Sequence, residues 1–364
     1  MKIAIIGSRG IPARYGGFEI FAERLARGLA DRGFEIYVYC KKELKKQNCE
    51  KEIVNRIFVP LPKIMSLKKL WLSNYSILHA SLIEKVDTIL LLGVSGALSL
   101  FIPQLTGIKT VLNPDGLEWK RAKWGRVGRS LLKFLEIIGI KFSNFIVADS
   151  MAIREYIRDR YKKDAVYIPY GTDIPSFRRE DWEAVKKRYS LSPGEYYTVV
   201  GRDVPENNFS LIINGFLKSG SNKKLVVVSD LGDSYKKYRG KEKIMFTGPI
   251  YERGKLFALR TNAFAHIHGH SVGGTNPSLL EAIASGNLIF AYDVPFNKEV
   301  LGEYGLYFSD KEQLTSIITK TENDRGRAQM LKRVRKYYSK ILKERYNWKQ
   351  VISSYIKILD SVFP

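Results

Sequence analysis

The residues best suited to chemistry lie in the stretch His268-Gly-His-Ser-Val-Gly-Gly-Thr-Asn-Pro-Ser-Leu-Leu-Glu281. Ala263–Ile267 before it reads as a buried strand, so Gly269, Gly273 and Gly274 fall on the turn leaving that strand, just ahead of a helix. Backbone without side chains lets a ligand come close there. Asn276 is a good N-cap and Pro277 suits the first helical position, which fixes the helix start and aims its N–H groups at the glycine loop. Such a start favours an anion, phosphate above all. Glu281 follows just over one turn later, within reach of hydroxyls beside a bound phosphate. An ordinary strand-loop-helix corner with a solvated Glu fits the same spacing.

Three further segments carry chemistry. Gly7-Ser-Arg-Gly-Ile-Pro-Ala-Arg-Tyr-Gly-Gly17 leaves the first strand, where Gly16 and Gly17 just before a helix would admit a phosphate and Arg9 or Arg14 would add charge. Its glycines do not fit the dinucleotide fingerprint G-x-G-x-x-G, and a mobile loop in a cleft is the plain reading. Arg202, in Val200-Gly-Arg-Asp-Val-Pro-Glu-Asn-Asn208, stands at another strand end, where a permanent charged fork suits paired phosphate oxygens and a surface Arg is the alternative. Asn113-Pro-Asp-Gly-Leu-Glu-Trp-Lys-Arg121 offers Asp115 and Glu118 to orient or deprotonate a hydroxyl, and Trp119 or Trp124 to stack on a sugar face. Without further support an Asp in a turn and Trp119 in a core explain the segment as well. Lys123, Arg126, Arg129 and Lys133 then repeat at three and four residues beside Leu131, Leu132 and Leu135, a pattern compatible with an anionic lipid surface or with a solvated helix face. His266, His268 and His270 lack a further ligand in phase, so no metal site is expected.

These loops need strands and helices to hold them. Strand signals at Ile3–Ile6, Phe34–Tyr39, Thr88–Leu92, Thr110–Leu112, Asn144–Ala148 and Ala165–Ile168 alternate with helical patterns, which argues a parallel sheet covered on both faces. Pro169-Tyr-Gly-Thr-Asp-Ile-Pro175 interrupts the series. A second begins at Tyr197–Val200 and continues through Lys224–Ser229, Lys243–Phe246, Ala263–Ile267, Asn287–Tyr292 and Gly305–Phe308. Two α/β domains are expected, residues 1–171 and 172–345, with 346–364 packing back on the first. A chain of 364 residues has room for both cores.

Sixty basic against 37 acidic residues give a net charge of +23, which draws the chain to polyanions: nucleic acid, anionic membrane or sugar phosphates. No aromatic-basic nucleic-acid module is evident, so no specific nucleic acid is expected. Cys40 and Cys49 have neither metal-ligand spacing nor a disulfide framework, which points to a reducing compartment. The first strand starts at residue 2 and leaves no room for a secretory signal. The apolar runs are too short to span a membrane, so a cytoplasmic protein, peripheral at the inner membrane face, is the expectation.

At these residues the chain resembles the GT-B nucleotide-sugar glycosyltransferases of retaining family 4, in the bacterial rhamnosyltransferase-like branch with an N-terminal domain of the DUF1972 type. The matching segments are Gly7–Glu19, Asn113–Arg121, Gly201–Asn208 and His270–Glu281. The resemblance implies an α/β fold of two facing Rossmann-like domains with parallel sheets and a C-terminal helix crossing back, the acceptor held mainly by the first domain and the donor by the second. It implies donor contacts from Gly16, Gly17, Arg202, Gly274, Thr275, Asn276 and Glu281, and an acceptor side at Glu118, Trp119 and Arg121 with Asp115 as catalytic candidate. Glu281 matches the second member of the family's Glu-x7-Glu pair, which holds the ribose hydroxyls, while Gly273 stands at the first. Arg202 matches one member of the phosphate-binding Arg-Lys pair, while Asn207 replaces the Lys. These departures fit a 6-deoxy sugar donor. The implied reaction moves L-rhamnose from dTDP-L-rhamnose to a lipid-linked glycan at an anionic membrane surface, for a cell-surface polysaccharide, with no cofactor or metal. A UDP- or GDP-sugar transferase, a sugar-nucleotide epimerase and a non-catalytic polyanion-binding protein on the same scaffold are the alternatives; a nicotinamide oxidoreductase fails at the fingerprint loop.

Overall fold

Ile3, Ala4, Ile5 and Ile6 are all fully buried, an unbroken apolar run of the kind a strand needs when helices cover both of its faces. A computed structural model describes residues 1–13, 16–46, 53–62 and 68–362; Arg14 and Cys49 lie outside them. The chain divides into two compact units, Met1–Gly171 joined by the segment from Trp348 onward, and Thr172–Asn347.

The first unit holds seven parallel strands: β1 (Lys2–Ile6), β2 (Glu35–Lys41), β3 (Asn55–Val59), β4 (Thr88–Leu92), β5 (Lys109–Asn113), β6 (Phe145–Ala148) and β7 (Val166–Tyr167), in the order β3-β2-β1-β4-β5-β6-β7. Its helices are α1 (Gly17–Ala30), α2 (Lys68–Leu82), α3 (Phe101–Leu105), α4 (Arg126–Phe142) and α5 (Met151–Tyr161). Right-handed crossovers put α1 on one face and α2 to α5 on the other. Leu72, Ile77, Leu135, Ile140, Ile153 and Ile157 bury the inner sides of α2, α4 and α5 against Ala4, Ile6, Ile89, Leu91 and Leu112. Strand β3 is an addition to the sequence reading. As an edge strand it is only partly buried and carries Asn55 and Arg56, so its apolar signal is weak.

The second unit holds β8 (Tyr196–Val200), β9 (Lys224–Val228), β10 (Ile244–Phe246), β11 (Ala265–His268), β12 (Leu288–Tyr292) and β13 (Leu306–Phe308), all parallel, in the order β10-β9-β8-β11-β12-β13. Its helices are α6 (Arg179–Tyr189), α7 (Phe209–Lys218), α8 (Arg253–Thr261), α9 (Pro277–Ala284), α10 (Pro295–Leu301), α11 (Lys311–Asn323) and α12 (Arg327–Glu344). The last helix, α13 (Trp348–Val362), belongs to the first unit and packs on α1, where Tyr355 meets Phe21 with ring centroids 5.8 Å apart. The return falls at Trp348 rather than at residue 346, because the Tyr346 carbonyl accepts from the Thr172 N–H at 2.9 Å within the second unit.

Strand order reverses at β1 in one sheet and at β8 in the other. Ligands of open parallel sheets bind beyond the carboxyl ends of the strands at such a switch point. The loops after β1, β8 and β11 all stand there.

Candidate functional site

In the second unit, two loops are stitched together beyond the ends of β8 and β11. The Asn207 side chain donates to the Arg202 carbonyl at 2.8 Å and lies 2.9 Å from His270 Nδ1, while Asn208 donates to the Gly269 carbonyl at 2.8 Å. A Cβ on Gly269 would stand 2.2 Å from the Asn207 carbonyl oxygen, so only glycine allows this approach. Asn207 is thus a structural clamp rather than a charge. The Arg202 side chain is exposed, with no hydrogen bond or ion pair seen among the described residues.

Asn276 caps α9, its Oδ1 accepting from the Ser278 N–H at 2.8 Å, with Pro277 at the first helical position. The Leu279 N–H returns to the Asn276 carbonyl at 3.0 Å. Since Pro277 has no N–H, the first-turn amides are already engaged, and the expectation that they stand free toward a ligand is corrected. Donors for an anion would have to come from the loop through Gly273, Gly274 and Thr275, with the helix dipole behind them. Gly273 sits at φ 142°, close to the His270 ring.

Glu281 does not stand alone one turn into α9. Its Oε2 accepts from Arg260 Nη1 at 2.5 Å, and Arg260 Nη2 donates to Ser278 Oγ at 2.9 Å. Arg260 is buried in α8, whereas Glu281 is half-buried. Ser278 Oγ in turn donates to the Val200 carbonyl at 3.4 Å, tying α8 and α9 to the end of β8 next to Arg202. Arg260 had no signal in the sequence, because its role depends on which side of α8 faces inward.

Beside the Arg202 loop, Asp203 Oδ2 accepts from the Gly232 N–H at 3.0 Å. A cavity of about 440 Å³ opens there at the ends of β9 and β10, lined by Asp230, Tyr235, Arg239, Phe246 and Gly248 among others. Its size suits a small-molecule ligand. Neither Arg202 nor Glu281 lines it, and none of its residues was singled out from the sequence. Burial holds His266 and His268 far below the usual imidazole range, with Arg260 adding to the shift at both, so both are neutral. Among the described residues no group of three or more His, Cys, Asp or Glu side chains is arranged to hold a metal ion.

In the first unit, Asp115 follows β5 in a left-handed turn at φ 68°, its N–H donating to Asn113 Oδ1 at 3.1 Å. Arg121 Nη2 lies 3.6 Å from Asp115 Oδ2, and its Nε lies 2.8 Å from Glu118 Oε2. Burial raises the Asp115 carboxyl above the usual aspartate range, and Arg121 only partly offsets it. Glu118 is pushed up by burial as well, but Arg121 and Lys123 outweigh that and hold it below its ordinary value. The two carboxyls are thus shifted in opposite directions, Asp115 holding its proton more tightly than usual and Glu118 less. Trp119 is engaged inside the protein: its Nε1 donates to Glu136 at 3.2 Å and the Lys133 ammonium sits 4.3 Å from its ring. Trp124 Nε1 donates to Glu118 at 3.2 Å.

Gly16, at φ 103°, caps α1 without a side chain, and Gly17 opens the helix. A Cβ on Gly16 would meet the Glu19 carboxylate, which also receives the Arg9 N–H at 3.4 Å. The positive end of α1 is thus already faced by Glu19, and a phosphate would have to displace that carboxylate. Of the residues singled out from the sequence, the structure brings Asp115, Glu118 and Arg121 into contact in one unit. In the other it gathers Arg202, the Gly269–Asn276 loop and Glu281 around the β8 and β11 ends.

Two parallel Rossmann-like sheets, a reversal of strand order in each and a final helix returned to the first unit define the GT-B fold. The chain is similar over its whole length to a sucrose-phosphate synthase from Thermosynechococcus elongatus, with TM-score 0.80, 15% identity and coverage of 100% of this chain and 99% of that one. It is similar to Anabaena HepE in complex with UDP-glucose, with TM-score 0.78, 14% identity and coverage of 99% and 100%. The catalytic domain of starch synthase IV from Arabidopsis thaliana, bound to ADP and acarbose, gives TM-score 0.74 at 11% identity with 99% of each chain covered. Residues 1–173 match the family model described as Domain of unknown function (DUF1972). No curated protein matches the chain.

Proposed function

We propose that the protein is a retaining glycosyltransferase that moves a hexosyl group, L-rhamnose from dTDP-L-rhamnose, to a hydroxyl of a lipid-linked glycan at an anionic membrane surface in cell-surface polysaccharide synthesis. The observation that carries the transferase reading is the convergence, beyond the ends of β8 and β11, of Arg202, a glycine loop at a helix start and the Arg260-held carboxylate of Glu281. A permanent cation suits a diphosphate, and a positioned carboxylate suits a ribose diol. HepE, a structural neighbour, is seen with UDP-glucose, and starch synthase IV with ADP. The rhamnosyl and dTDP parts rest on the sequence resemblance of the four loop segments and on Gly273 and Asn207 standing in place of the acidic and basic residues of the wider family.

The reaction breaks the bond between the sugar and the diphosphate and forms one to the acceptor oxygen. Arg202 and loop amides would stabilise the charge that develops on the departing phosphate, which can itself take the acceptor proton on the same face. Asp115 is the candidate group beside the acceptor hydroxyl, with Arg121 and Glu118 fixing its turn. No cofactor or metal is invoked.

Thermal stabilisation by dTDP, UDP, GDP and NAD, measured in parallel, tests the donor side, because a ligand that binds only the folded state raises its melting point. A shift with dTDP above the others supports the reading as stated. A shift with UDP alone moves the donor to a UDP-sugar, and no shift with any nucleotide overturns the transferase reading in favour of polyanion binding. Conversion of dTDP-L-rhamnose with no acceptor present would mark an epimerase instead.

A further inference from the structure

We infer that the outer side of α2, α3 and α4 is the surface by which the protein docks on an anionic lipid bilayer. The three helices follow one another on the same face of the first sheet and pack side by side. Each carries apolar side chains at helical spacing on its outer side as well as its inner one. On α2 the stripe is Trp71, Leu78 and Leu82, with Trp71 stacked on the more buried Tyr75 at a centroid distance of 6.0 Å. On the turn into α3 it is Leu98, Phe101 and Leu105, the last 81% exposed. On α4 it is Val127, Leu131, Phe134 and Ile137, with Val127 84% exposed and Phe134 52%. A helix buries one apolar stripe in its own core, so a second outward stripe on three successive helices marks a surface made to be covered.

The structure also corrects which leucines serve. Leu132 and Leu135 turn into the core, and the outward stripe is carried by Val127, Leu131 and Phe134 instead.

Charge chooses the occupant. Arg126, Arg129 and Lys133 run along α4 at three and four residues, immediately beside the apolar stripe, and Arg126 and Arg129 are exposed. Across residues 68–82, 97–105 and 126–142 the only carboxylate is Glu136, and it is buried, accepting from Trp119, Tyr156 and Tyr161. The outer side is therefore apolar and basic with no acid to balance it. A second copy of the chain would set like charges against each other, whereas an anionic headgroup layer over acyl chains matches both features. No helix among the described residues is long and apolar enough to cross a membrane, so binding would be at the interface.

The inference rests on the reading above, in which the acceptor is lipid-linked, but its test involves no transfer, so either can fail alone. The full chain is sedimented with phosphatidylcholine vesicles with and without phosphatidylglycerol, at low and high salt. Binding is expected only with phosphatidylglycerol and should weaken with salt. Val127→Ser, Leu131→Ser and Phe134→Ser combined should weaken it at least about tenfold, without lowering the melting point, since these side chains are exposed. Should that variant fail to fold, Arg126→Glu with Arg129→Glu tests the same helix. Reversal of charge on a more basic helix elsewhere, Lys332→Glu, Lys336→Glu and Lys340→Glu on α12, should leave binding within about twofold of its starting value. Absence of phosphatidylglycerol-dependent binding, or an equal loss from the α12 variant, overturns the inference. So does a dimer that the triple serine variant breaks in the absence of lipid.

Discussion

Arg260 Nη1 donates to Glu281 Oε2 at 2.5 Å across α8 and α9, with the arginine side chain 2% exposed and the glutamate 31%. The carboxylate that would read the donor's ribose is also the partner of a buried cation. Removing it leaves that cation unpaired, so Glu281→Ala tests stability and binding together. It should cost about 2 kcal/mol, less than the 3–5 kcal/mol of a fully buried pair because Glu281 is partly solvated. Glu281→Gln, which can still accept from Arg260, should melt closer to the wild type and yet bind nucleotide more weakly. Chemical denaturation of the two variants separates the effects; equal stability of Glu281→Ala and wild type would show that the pair contributes nothing.

Arg202 offers a cleaner test. Its exposed guanidinium has no partner among the described residues, so Arg202→Ala should leave the melting point unchanged. Nucleoside diphosphate affinity should fall about 10- to 100-fold if the fork binds the diphosphate, the worth of one or two charge-assisted hydrogen bonds. Isothermal titration with the nucleotide identified by thermal shift measures it, and an unchanged affinity removes Arg202 from the site.

For Asp115, burial raises the folded-state pKa above that of the unfolded chain. The stability this group contributes is full below the unfolded value and is lost as pH rises through the folded one, so at neutral pH the charged Asp115 is a cost. Asn tolerates the same left-handed backbone, and Asp115→Asn should therefore melt at or above the wild-type temperature at neutral pH while transfer is lost. Melting curves at neutral and mildly acidic pH check the sign; a variant that melts lower at neutral pH and higher in acid contradicts it.

Glu136 is 5% exposed and accepts from Trp119 Nε1 at 3.2 Å, Tyr156 at 2.7 Å and Tyr161 at 2.5 Å. Glu136→Leu takes the acceptor from three partly buried donors in the first unit and should cost about 2–3 kcal/mol. Glu136→Gln keeps one acceptor oxygen and should cost less. Urea denaturation orders the two.

The fold was legible because buried parallel strands are runs of Ile, Val and Leu, and because glycines and a Pro after Asn mark where chains turn at their ends. Edge strand β3 escaped because a half-covered strand needs few apolar residues. Side-chain partners were less legible. Whether Trp119 stacks on a sugar or under Lys133, whether Leu132 faces in or out, and whether Arg260 reaches Glu281 all depend on the rotation of a helix against its sheet, which local spacing does not set. The Asn276 cap was readable, since it is local; the engagement of the amides behind it follows from the same local geometry only once Pro277 and Ser278 are placed.

Because α13 closes the first unit, that unit is interrupted in the chain by all of the second. On a ribosome the apolar side of α1, with Phe21 and with Gly28 pressed against Ile352, waits uncovered while residues 172–347 are made. At ordinary elongation rates that delay is about 10–30 s. The second unit is a continuous segment that can fold on emerging, whereas the first is finished last although it was begun first. Nascent chains halted before Trp348 should therefore be the ones that chaperones hold.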